Sequence, residues 1–139
     1  MISIIRQSPF RLSAIAVLAL FVCTALPALA EPHKKVDAKT AAKMIEAGSI
    51  DMILDVRDMD EFTGPDGRIK GAMLVPASQI STSMDKLASF REKTVLVYCS
   101  VGGRSDKAAR YLASNGFKNV LDLAGGIMAW KAAGLPVIK

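Results

Sequence analysis

The sequence predicts a single α/β domain in which a parallel sheet carries helices on both faces. Short apolar runs alternate with segments of helical spacing along the chain, the order that right-handed β-α-β crossovers produce. The clearest apolar run, residues 94–98, is dominated by β-branched and aromatic residues, as expected for a buried strand. Polar residues follow these runs where the strands end, and glycine or proline separates the elements.

Residues 1–30 have the pattern of a cleaved signal peptide. Arg6 and Arg11 provide positive charge without any acid, an apolar run follows over residues 12–26, and Ala28-Leu29-Ala30 forms a small-x-small cleavage site. The apolar run is short for a membrane span, which needs about 20 residues. We therefore expect cleavage after Ala30, no stable membrane anchor afterwards and a periplasmic location. Full secretion and a retained N-terminal anchor are the alternatives.

The rest of the chain is long enough for one hydrophobic core and too short for two. Its formal charge falls from +5 to +3 when Arg6 and Arg11 are left out, and its lysine and arginine residues are scattered. Scattered positive charge argues against nucleic acid as a partner and suits a small anion.

The elements of the domain can be placed in order from residue 31. Residues 31–36 are polar and contain Pro32, so we expect a flexible N-terminal arm and a domain over residues 37–139. Asp37 is the expected cap of the first helix, and Gly48 is its stop signal. The first half is then predicted to contain a helix over 38–47, a strand over 52–56, a turn at 64–67 and a strand over 72–75.

The second half continues the alternation. It is predicted to contain a short helix over 84–90, a strand over 94–98, a helix over 104–114, a strand over 120–123 and a final helix over 127–133. Asn115-Gly116 ends the longer helix, and Gly134 ends the last one. Trp130 is expected to pack the last helix onto the sheet.

Cys99 stands at the carboxyl end of the strand 94–98 and opens a glycine-rich loop, Cys99-Ser100-Val101-Gly102-Gly103-Arg104-Ser105. It is the only cysteine once the leader is removed, so a reactive thiol is favoured over an internal disulfide. Gly102 and Gly103 let the loop amides turn inward, Arg104 adds positive charge, and the following helix adds its dipole. These features predict a lowered pKa and a nucleophilic role for Cys99. Tyr98 should point to the opposite face of the sheet.

This chain lacks the residues that other classes of reaction need. The only histidine, His33, lies in the polar arm and is expected on the solvated surface, which disfavours a Cys/His hydrolase. One cysteine and one distant histidine do not form a transition-metal site, so we expect neither a metal nor an organic cofactor. Asp55 and Arg57 are opposite charges at a strand end and are expected to fix a loop.

The mature chain resembles the single-domain rhodaneses, which are thiosulfate sulfurtransferases, of the small exported bacterial type. Four segments carry the resemblance in family order: Asp55-Val56-Arg57 with Glu61-Phe62; Gly67 to Ala72 with Pro76; Tyr98-Cys99 to Arg104-Ser105; and Gly125-Gly126-Ile127 with Trp130, Gly134 and Pro136-Val137. Arg68 stands where the family commonly has histidine, a change that leaves the loop untouched.

The resemblance implies a two-step transfer of sulfane sulfur. Cys99 attacks the outer sulfur of thiosulfate or a similar anionic donor, and a thiophilic acceptor such as cyanide or a thiol then takes the sulfur from the Cys99 persulfide. The substrate-binding loop would be Ser100, Val101, Gly102, Gly103 and Arg104, with Arg104 either balancing charge or bracing the loop. Asp55, Arg57 and Ser105 would support it.

Two alternatives stay open. The first is a rhodanese-like binding or relay module that passes persulfide sulfur to a partner protein with little thiosulfate turnover. The second is a phosphatase or arsenate reductase. Four residues separate Cys99 from Arg104 in this chain, whereas those related enzymes have five, which give a larger cradle for a tetrahedral oxyanion. The short loop therefore favours a sulfur donor.

Overall fold

The computed structural model describes residues 33–139, and strands and helices alternate through that part of the chain. The strands are β1 (Lys34–Val36), β2 (Met52–Asp55), β3 (Ala72–Leu74), β4 (Thr94–Tyr98) and β5 (Asn119–Leu123). The α-helices are α1 (Ala38–Glu46), α2 (Met59–Phe62), α3 (Met84–Leu87), α4 (Gly103–Ser114) and α5 (Gly126–Ala132). Short 3-10 helices are formed by Ala77–Gln79, Ser81–Ser83 and Ala88–Phe90. The predicted signal peptide, residues 1–30, lies outside the described residues.

All five strands are parallel and form one sheet in the order β1-β5-β4-β2-β3. The central strand β4 pairs with β2 on one side, where Leu54 lies opposite Val97, and with β5 on the other, where Val97 lies opposite Asp122. Because the strands are parallel, their carboxyl ends meet at one edge, and Cys99 follows β4 at that edge. The predicted α/β fold with a parallel sheet is confirmed.

Each face of the sheet carries its own hydrophobic core, because successive β4 side chains point to opposite sides. Val95, Val97 and Cys99 pack in one core with residues of α3 and α4. Leu96 and Tyr98 belong to the other core, together with residues of α1 and α5. The predicted placement of Tyr98 opposite Cys99 is therefore confirmed, as is the packing of Trp130 in the core beneath α5.

The N-terminal arm is a correction. Residues 34–36 were expected to be flexible, but they form β1, which pairs with β5 and places Val36 opposite Leu123. Val36 is buried in the core shared by α1 and α5. A strand of three residues is too short to show an alternation of apolar and polar residues. Strand β1 is therefore recognised only from its pairing with β5, which lies near the other end of the chain.

The shortest helices were also mispredicted. The four-residue helix α2 was not among the predicted elements, and the expected helix over 84–90 divides into α3 and a 3-10 helix. A single helical turn is too short to show an apolar stripe, so the spacing of apolar residues did not indicate helix α2. No helix among residues 33–139 is both long and apolar enough to cross a bilayer.

Candidate active site

The loop at the carboxyl end of β4, residues 99–105, is built on a left-handed glycine and is called the Cys99 loop below. Gly102 has φ 109°, a backbone conformation that side-chain-bearing residues rarely adopt, and it caps α4 at Gly103. Its amide donates a hydrogen bond to Cys99 Sγ over 3.1 Å. The turn that starts α4 therefore curls around the thiol.

The thiol of Cys99 lies inside this curl and is only 1% exposed. The thiol of Cys99 donates to Ser105 Oγ, with Sγ and Oγ 3.5 Å apart, and the Ser105 hydroxyl donates to the carbonyl oxygen of Gly102 over 3.2 Å. Burial by itself would raise the pKa of Cys99. When Cys99 is ionised, hydrogen bonds to the thiolate from the Ser105 hydroxyl and from the amides of Ser105, Gly102 and Arg104 outweigh burial, so that the pKa of Cys99 is lowered from its ordinary value. The predicted direction of this shift is confirmed.

The amino end of α5 holds the loop from the other side. Ile127 N–H donates to the carbonyl oxygen of Cys99 over 2.8 Å, and Met128 N–H donates to that of Ser100 over 3.1 Å. Gly126 makes this approach feasible, because a Cβ there would lie 2.3 Å from the Cys99 carbonyl oxygen. With φ +60° it also has a left-handed backbone. The close contact between helix and loop therefore requires glycine at position 126.

Arg104 braces the loop through an ion pair with Glu61 of α2. Nη1 donates to Oε2 and Nη2 donates to Oε1, each over 2.7 Å. Ser100 joins the pair, since its hydroxyl donates to Glu61 Oε1 over 2.6 Å and accepts from Arg104 Nη2 over 3.1 Å. The hydrogen bonds from Arg104, with a further one from Ser100, lower the pKa of Glu61 to about 2 despite partial burial.

The sequence interpretation missed Glu61 as a site residue. Its only signal was its place in the first of the four recognised segments, and its partner Arg104 lies 43 positions away. Of the two roles considered for Arg104, bracing has the stronger physical basis: its side chain fixes α2 against the loop. Hydrogen bonding to Glu61 is the main cause of the raised pKa of Arg104, and the charge of Cys99 adds a smaller contribution. Because Glu61 takes both guanidinium nitrogens, the charge of Arg104 is already balanced.

Asp55 and Arg57 form a buried ion pair on the other side of the sheet. Arg57 Nη2 donates to Asp55 Oδ2 over 2.7 Å and to the carbonyl oxygen of Gly67 over 2.8 Å. The guanidinium also lies over the ring of Tyr98, 5.5 Å from its centroid. The pair thus fixes the turn at Gly67, and not the substrate-binding loop that it was expected to support.

The tip of the Cys99 loop faces solvent. Val101 is 71% exposed, and a Cβ at Gly103 would meet no atom within 4 Å. The backbone of the tip is therefore accessible to a molecule that approaches the loop from solution.

The position of His33 is a second correction. It was expected on the solvated surface, but it is buried, and its Nε2 lies 3.1 Å from Asp106 Oδ1. Lys35 Nζ and Arg110 Nε also contact Asp106, at 3.4 and 3.0 Å. The parallel strand β1 brings His33 across to α4, which the sequence of the arm alone did not indicate.

Among residues 33–139, Asp58, Asp60 and Glu61 form one group that could hold a metal ion, and His33, Asp106 and Asp122 form another. In each group, one potential ligand atom from each residue lies within 4.8 Å of the other two. Within residues 33–139, His33 Nδ1 and Asp122 Oδ1 are buried without a hydrogen-bond partner, and burial raises the pKa of Asp122. Lys35 and Arg110 already compensate the charge of Asp106, so a cation would have to compete with them.

Comparison with known proteins identifies the family. The family model described as the rhodanese-like domain matches residues 37–133. The chain is 30% identical over 104 residues to a protein of Allochromatium vinosum named sulfurtransferase, covering 75% of this chain and 94% of that protein. It is 38% identical over 88 residues to an uncharacterized protein of Synechocystis sp., covering 63% of this chain and only 47% of that one.

Solved structures agree with this assignment. A protein from Rhodopseudomonas palustris, described as of unknown function and a possible tyrosine phosphatase, superimposes with a TM-score of 0.70 at 28% identity, covering 76% of this chain and 85% of that one. A thiosulfate sulfurtransferase from Pseudomonas aeruginosa superimposes with a TM-score of 0.67 at 26% identity, covering 76% of this chain and 20% of that one. The fold, the four segments and the match over residues 37–133 together show that the chain belongs to the rhodanese-like domain family.

Proposed function

We propose that this protein is a sulfurtransferase that moves sulfane sulfur from thiosulfate, or a similar anionic donor, to a thiophilic acceptor through a persulfide on Cys99. The observation that carries the proposal is the hydrogen bonding of Cys99 Sγ by Gly102 N–H and Ser105, which lowers the pKa of a thiol at the carboxyl edge of the sheet. The relative named sulfurtransferase supports the same reaction class.

The first step makes the persulfide. The Cys99 thiolate attacks the outer sulfur of thiosulfate, a new sulfur–sulfur bond forms, and sulfite leaves with the electron pair of the old one. In the second step cyanide or a thiolate attacks the terminal sulfur. The Cys99 thiolate then leaves with the bonding pair, and the product is thiocyanate or a new persulfide. Neither step requires an outside oxidant or reductant.

The loop suits the anion that these steps create. A sulfur–sulfur bond of about 2.05 Å carries the reactive terminal sulfur outward from the buried Sγ. There it would meet amides of residues 100–104 at the positive end of the α4 dipole. Arg104 keeps those amides in place through Glu61 and Ser100.

The test is the intact mass of the protein before and after thiosulfate, beside Cys99→Ser. A gain of one sulfur, about 32 Da, on the wild type alone, removed by cyanide with release of thiocyanate, is the expected result. A wild type that gains no mass after reduction and thiosulfate would overturn the proposal. Loading by a protein persulfide but not by thiosulfate would instead favour the relay.

We also propose that the protein is exported to the periplasm after cleavage behind Ala30, because residues 1–30 have the pattern of a signal peptide. The check is amino-terminal sequencing of the protein from the periplasmic fraction of its own cells. A first residue of Glu31 is expected, whereas an intact Met1 in the cytosolic fraction would contradict it.

A further inference from the structure

Three side chains, His33, Asp106 and Asp122, meet between α4 and the edge of the sheet formed by β1 and β5, and we call them the His33 cluster. His33 immediately precedes β1, Asp106 lies in the first turn of α4, and Asp122 lies in β5. The fold thus brings one imidazole and two carboxylates together from three separate elements. The sequence expectation of no metal counted only cysteine and histidine, and therefore took no account of these carboxylates.

Two polar atoms of the His33 cluster are buried and make no hydrogen bond within residues 33–139. They are His33 Nδ1 and Asp122 Oδ1, in residues that are 5% and 1% exposed. The other ring nitrogen of His33, Nε2, contacts Asp106. A buried polar atom without a partner costs free energy unless a ligand or another group satisfies it. Asp122 therefore offers a buried lone pair to a ligand bound within the cluster.

The exposed acidic group, Asp58, Asp60 and Glu61, differs from the His33 cluster in this respect. Asp58 and Asp60 face solvent, and both carboxylate oxygens of Glu61 accept hydrogen bonds from Arg104. None of the buried unpartnered side-chain atoms found in residues 33–139 belongs to this group. Solvent and Arg104 already satisfy its carboxylates, so the observations favour the His33 cluster as the site of a cation.

The charged groups around Asp106 leave one of its two oxygens available to a cation. Arg110 Nε contacts Oδ2 over 3.0 Å, whereas His33 Nε2 and Lys35 Nζ contact Oδ1 at 3.1 and 3.4 Å. Arg110 can therefore keep its contact when Oδ1 binds a cation. The Lys35 side chain is 62% exposed and can swing into solvent. The carboxylates of Asp106 and Asp122 then balance the two charges of a divalent cation.

The spacing of the His33 cluster suits a small cation. Zinc bonds of about 2.0 Å in a tetrahedral site place two ligand atoms roughly 3.4 Å apart. The cluster atoms lie within 4.8 Å of one another, so side-chain movements of about 1.5 Å or less close them around the ion. Asp106 and Asp122 also line an open cavity of about 480 Å³ beside the tip of the Cys99 loop. A cation can therefore reach them from solvent.

We propose that the His33 cluster binds one divalent transition-metal ion, such as Zn²⁺, through a ring nitrogen of His33 and one carboxylate oxygen each from Asp106 and Asp122. Zinc takes imidazole and carboxylate ligands in proteins, and three protein ligands leave its fourth position to water. The ion ties the amino end of β1 to α4 and β5. The inference does not rest on the proposed sulfur transfer, because Cys99 is not among the ligands.

The test is calorimetric titration of Zn²⁺ into the untagged protein after treatment with a chelator. Every titration uses Cys99→Ser as the parent protein, so that the thiol cannot bind the metal. We expect one zinc ion per chain with a Kd below about 10 μM. A higher Kd, or more than one equivalent site, would overturn the inference and would leave the proposed function untouched.

Variants of the parent protein locate the bound ion. Asp122→Asn keeps the shape of the side chain but removes a charged ligand, and His33→Gln removes the imidazole. Each should raise the Kd at least about tenfold. Asp58→Asn, in the exposed acidic group, is the matched control and should leave the Kd within about twofold. Unchanged binding in both cluster variants, or a loss of binding in Asp58→Asn, would show that zinc binds elsewhere and overturn the inference.

Lys35→Gln gives a readout that does not depend on damage to the His33 cluster. It removes the charge that competes for Asp106 Oδ1, so it should lower the Kd for zinc at least about threefold. A variant that binds zinc no more tightly than the parent protein would overturn the position assigned to the ion.

Thermal unfolding checks that the ion ties the elements together. Zinc at about 100 times its Kd should raise the melting temperature of the parent protein by at least about 5 °C. The same concentration should have no such effect on Asp122→Asn, and melts without zinc check that this variant folds. An equal rise in both proteins would contradict binding at the cluster.

Discussion

Glu61 and Arg104 face each other through two hydrogen bonds of 2.7 Å, although they lie 43 positions apart in the chain. Paired, parallel N–H···O bonds of this kind fix orientation as well as distance. The pair ties the short helix α2 to the start of α4, with the hydroxyl of Ser100 between them. The shape of the Cys99 loop therefore depends on a helix from a different part of the chain.

Removing either partner of this pair should have the same functional result. Glu61→Gln and Arg104→Ala should each lower kcat/KM for thiosulfate by about tenfold, because the loop amides lose their brace. The double variant should be no worse than Arg104→Ala alone, which corresponds to a coupling of about 1.4 kcal/mol between the two side chains. Additive losses in this cycle would show that the two side chains act independently.

The same pair makes stability depend on pH. Folding lowers the pKa of Glu61 from an ordinary value of 4.5 to about 2, so the charged form is stabilised in the folded state. Its contribution is therefore fully present above about pH 5 and is lost as the pH falls through about 2. Urea unfolding of wild type and Glu61→Gln should show a difference at pH 7 that shrinks at pH 3. A difference that grows on acidification would contradict the assigned shift.

Ser105 should contribute to the lowered pKa of the Cys99 thiol. The midpoint of the rate of alkylation by iodoacetamide against pH reports the pKa of Cys99, which is lowered by the Ser105 hydroxyl among other donors. Ser105→Ala removes one hydrogen bond to the thiolate, so the midpoint should move upward. Ser114→Ala, at the exposed far end of α4, is the control and should leave the midpoint in place. A downward shift in Ser105→Ala would mean that the hydroxyl favours the thiol instead.

Gly126→Ala should damage both stability and activity. The new Cβ would lie 2.3 Å from the Cys99 carbonyl oxygen and 2.5 Å from that of Ser100, so either α5 or the loop must move. Gly134→Ala is a matched control, since Gly134 also has positive φ, +74°, but has no atom within 4 Å of the added Cβ. Both variants carry the backbone strain of about 1–2 kcal/mol, and only Gly126→Ala adds the clash.

Thermal unfolding and thiosulfate turnover of the two glycine variants separate these contributions. Gly126→Ala should lose at least about 1 kcal/mol more than Gly134→Ala and transfer sulfur at least about tenfold more slowly. Equal losses in the two variants would assign the effect to backbone strain alone.

His33→Ala should loosen β1 without altering sulfur transfer. The substitution removes the buried contact with Asp106, so the hydrogen bond from Ala124 N–H to the Val36 carbonyl oxygen should open more often. Hydrogen exchange at Ala124 should accelerate relative to Lys34→Ala, whose side chain is exposed. A fall in kcat/KM for thiosulfate in His33→Ala would show instead that the His33 contact reaches the Cys99 loop.

The local parts of the architecture were predictable from residue patterns. Buried parallel strands such as β4 can be recognised from a continuous run of β-branched and aromatic residues. Helix α4 can be recognised from the helical spacing of its apolar residues and from the glycine that follows its last turn. Cys99 at the end of β4, followed by two glycines and an arginine, likewise predicted a thiol with a lowered pKa, because loop amides and a helix amino end act over a few residues.

What the sequence by itself determined is thus the α/β class, the family and the position of the candidate nucleophile Cys99, all of which depend on short-range periodicity and on the intrinsic chemistry of single residues. The tertiary structure alone decided that β1 joins the sheet, that His33 is buried, that Glu61 holds Arg104 and that Gly126 admits α5 to the loop. These contacts join residues that are far apart in the chain. They form only when the whole domain packs, because no local sequence pattern identifies which distant residue each one will contact.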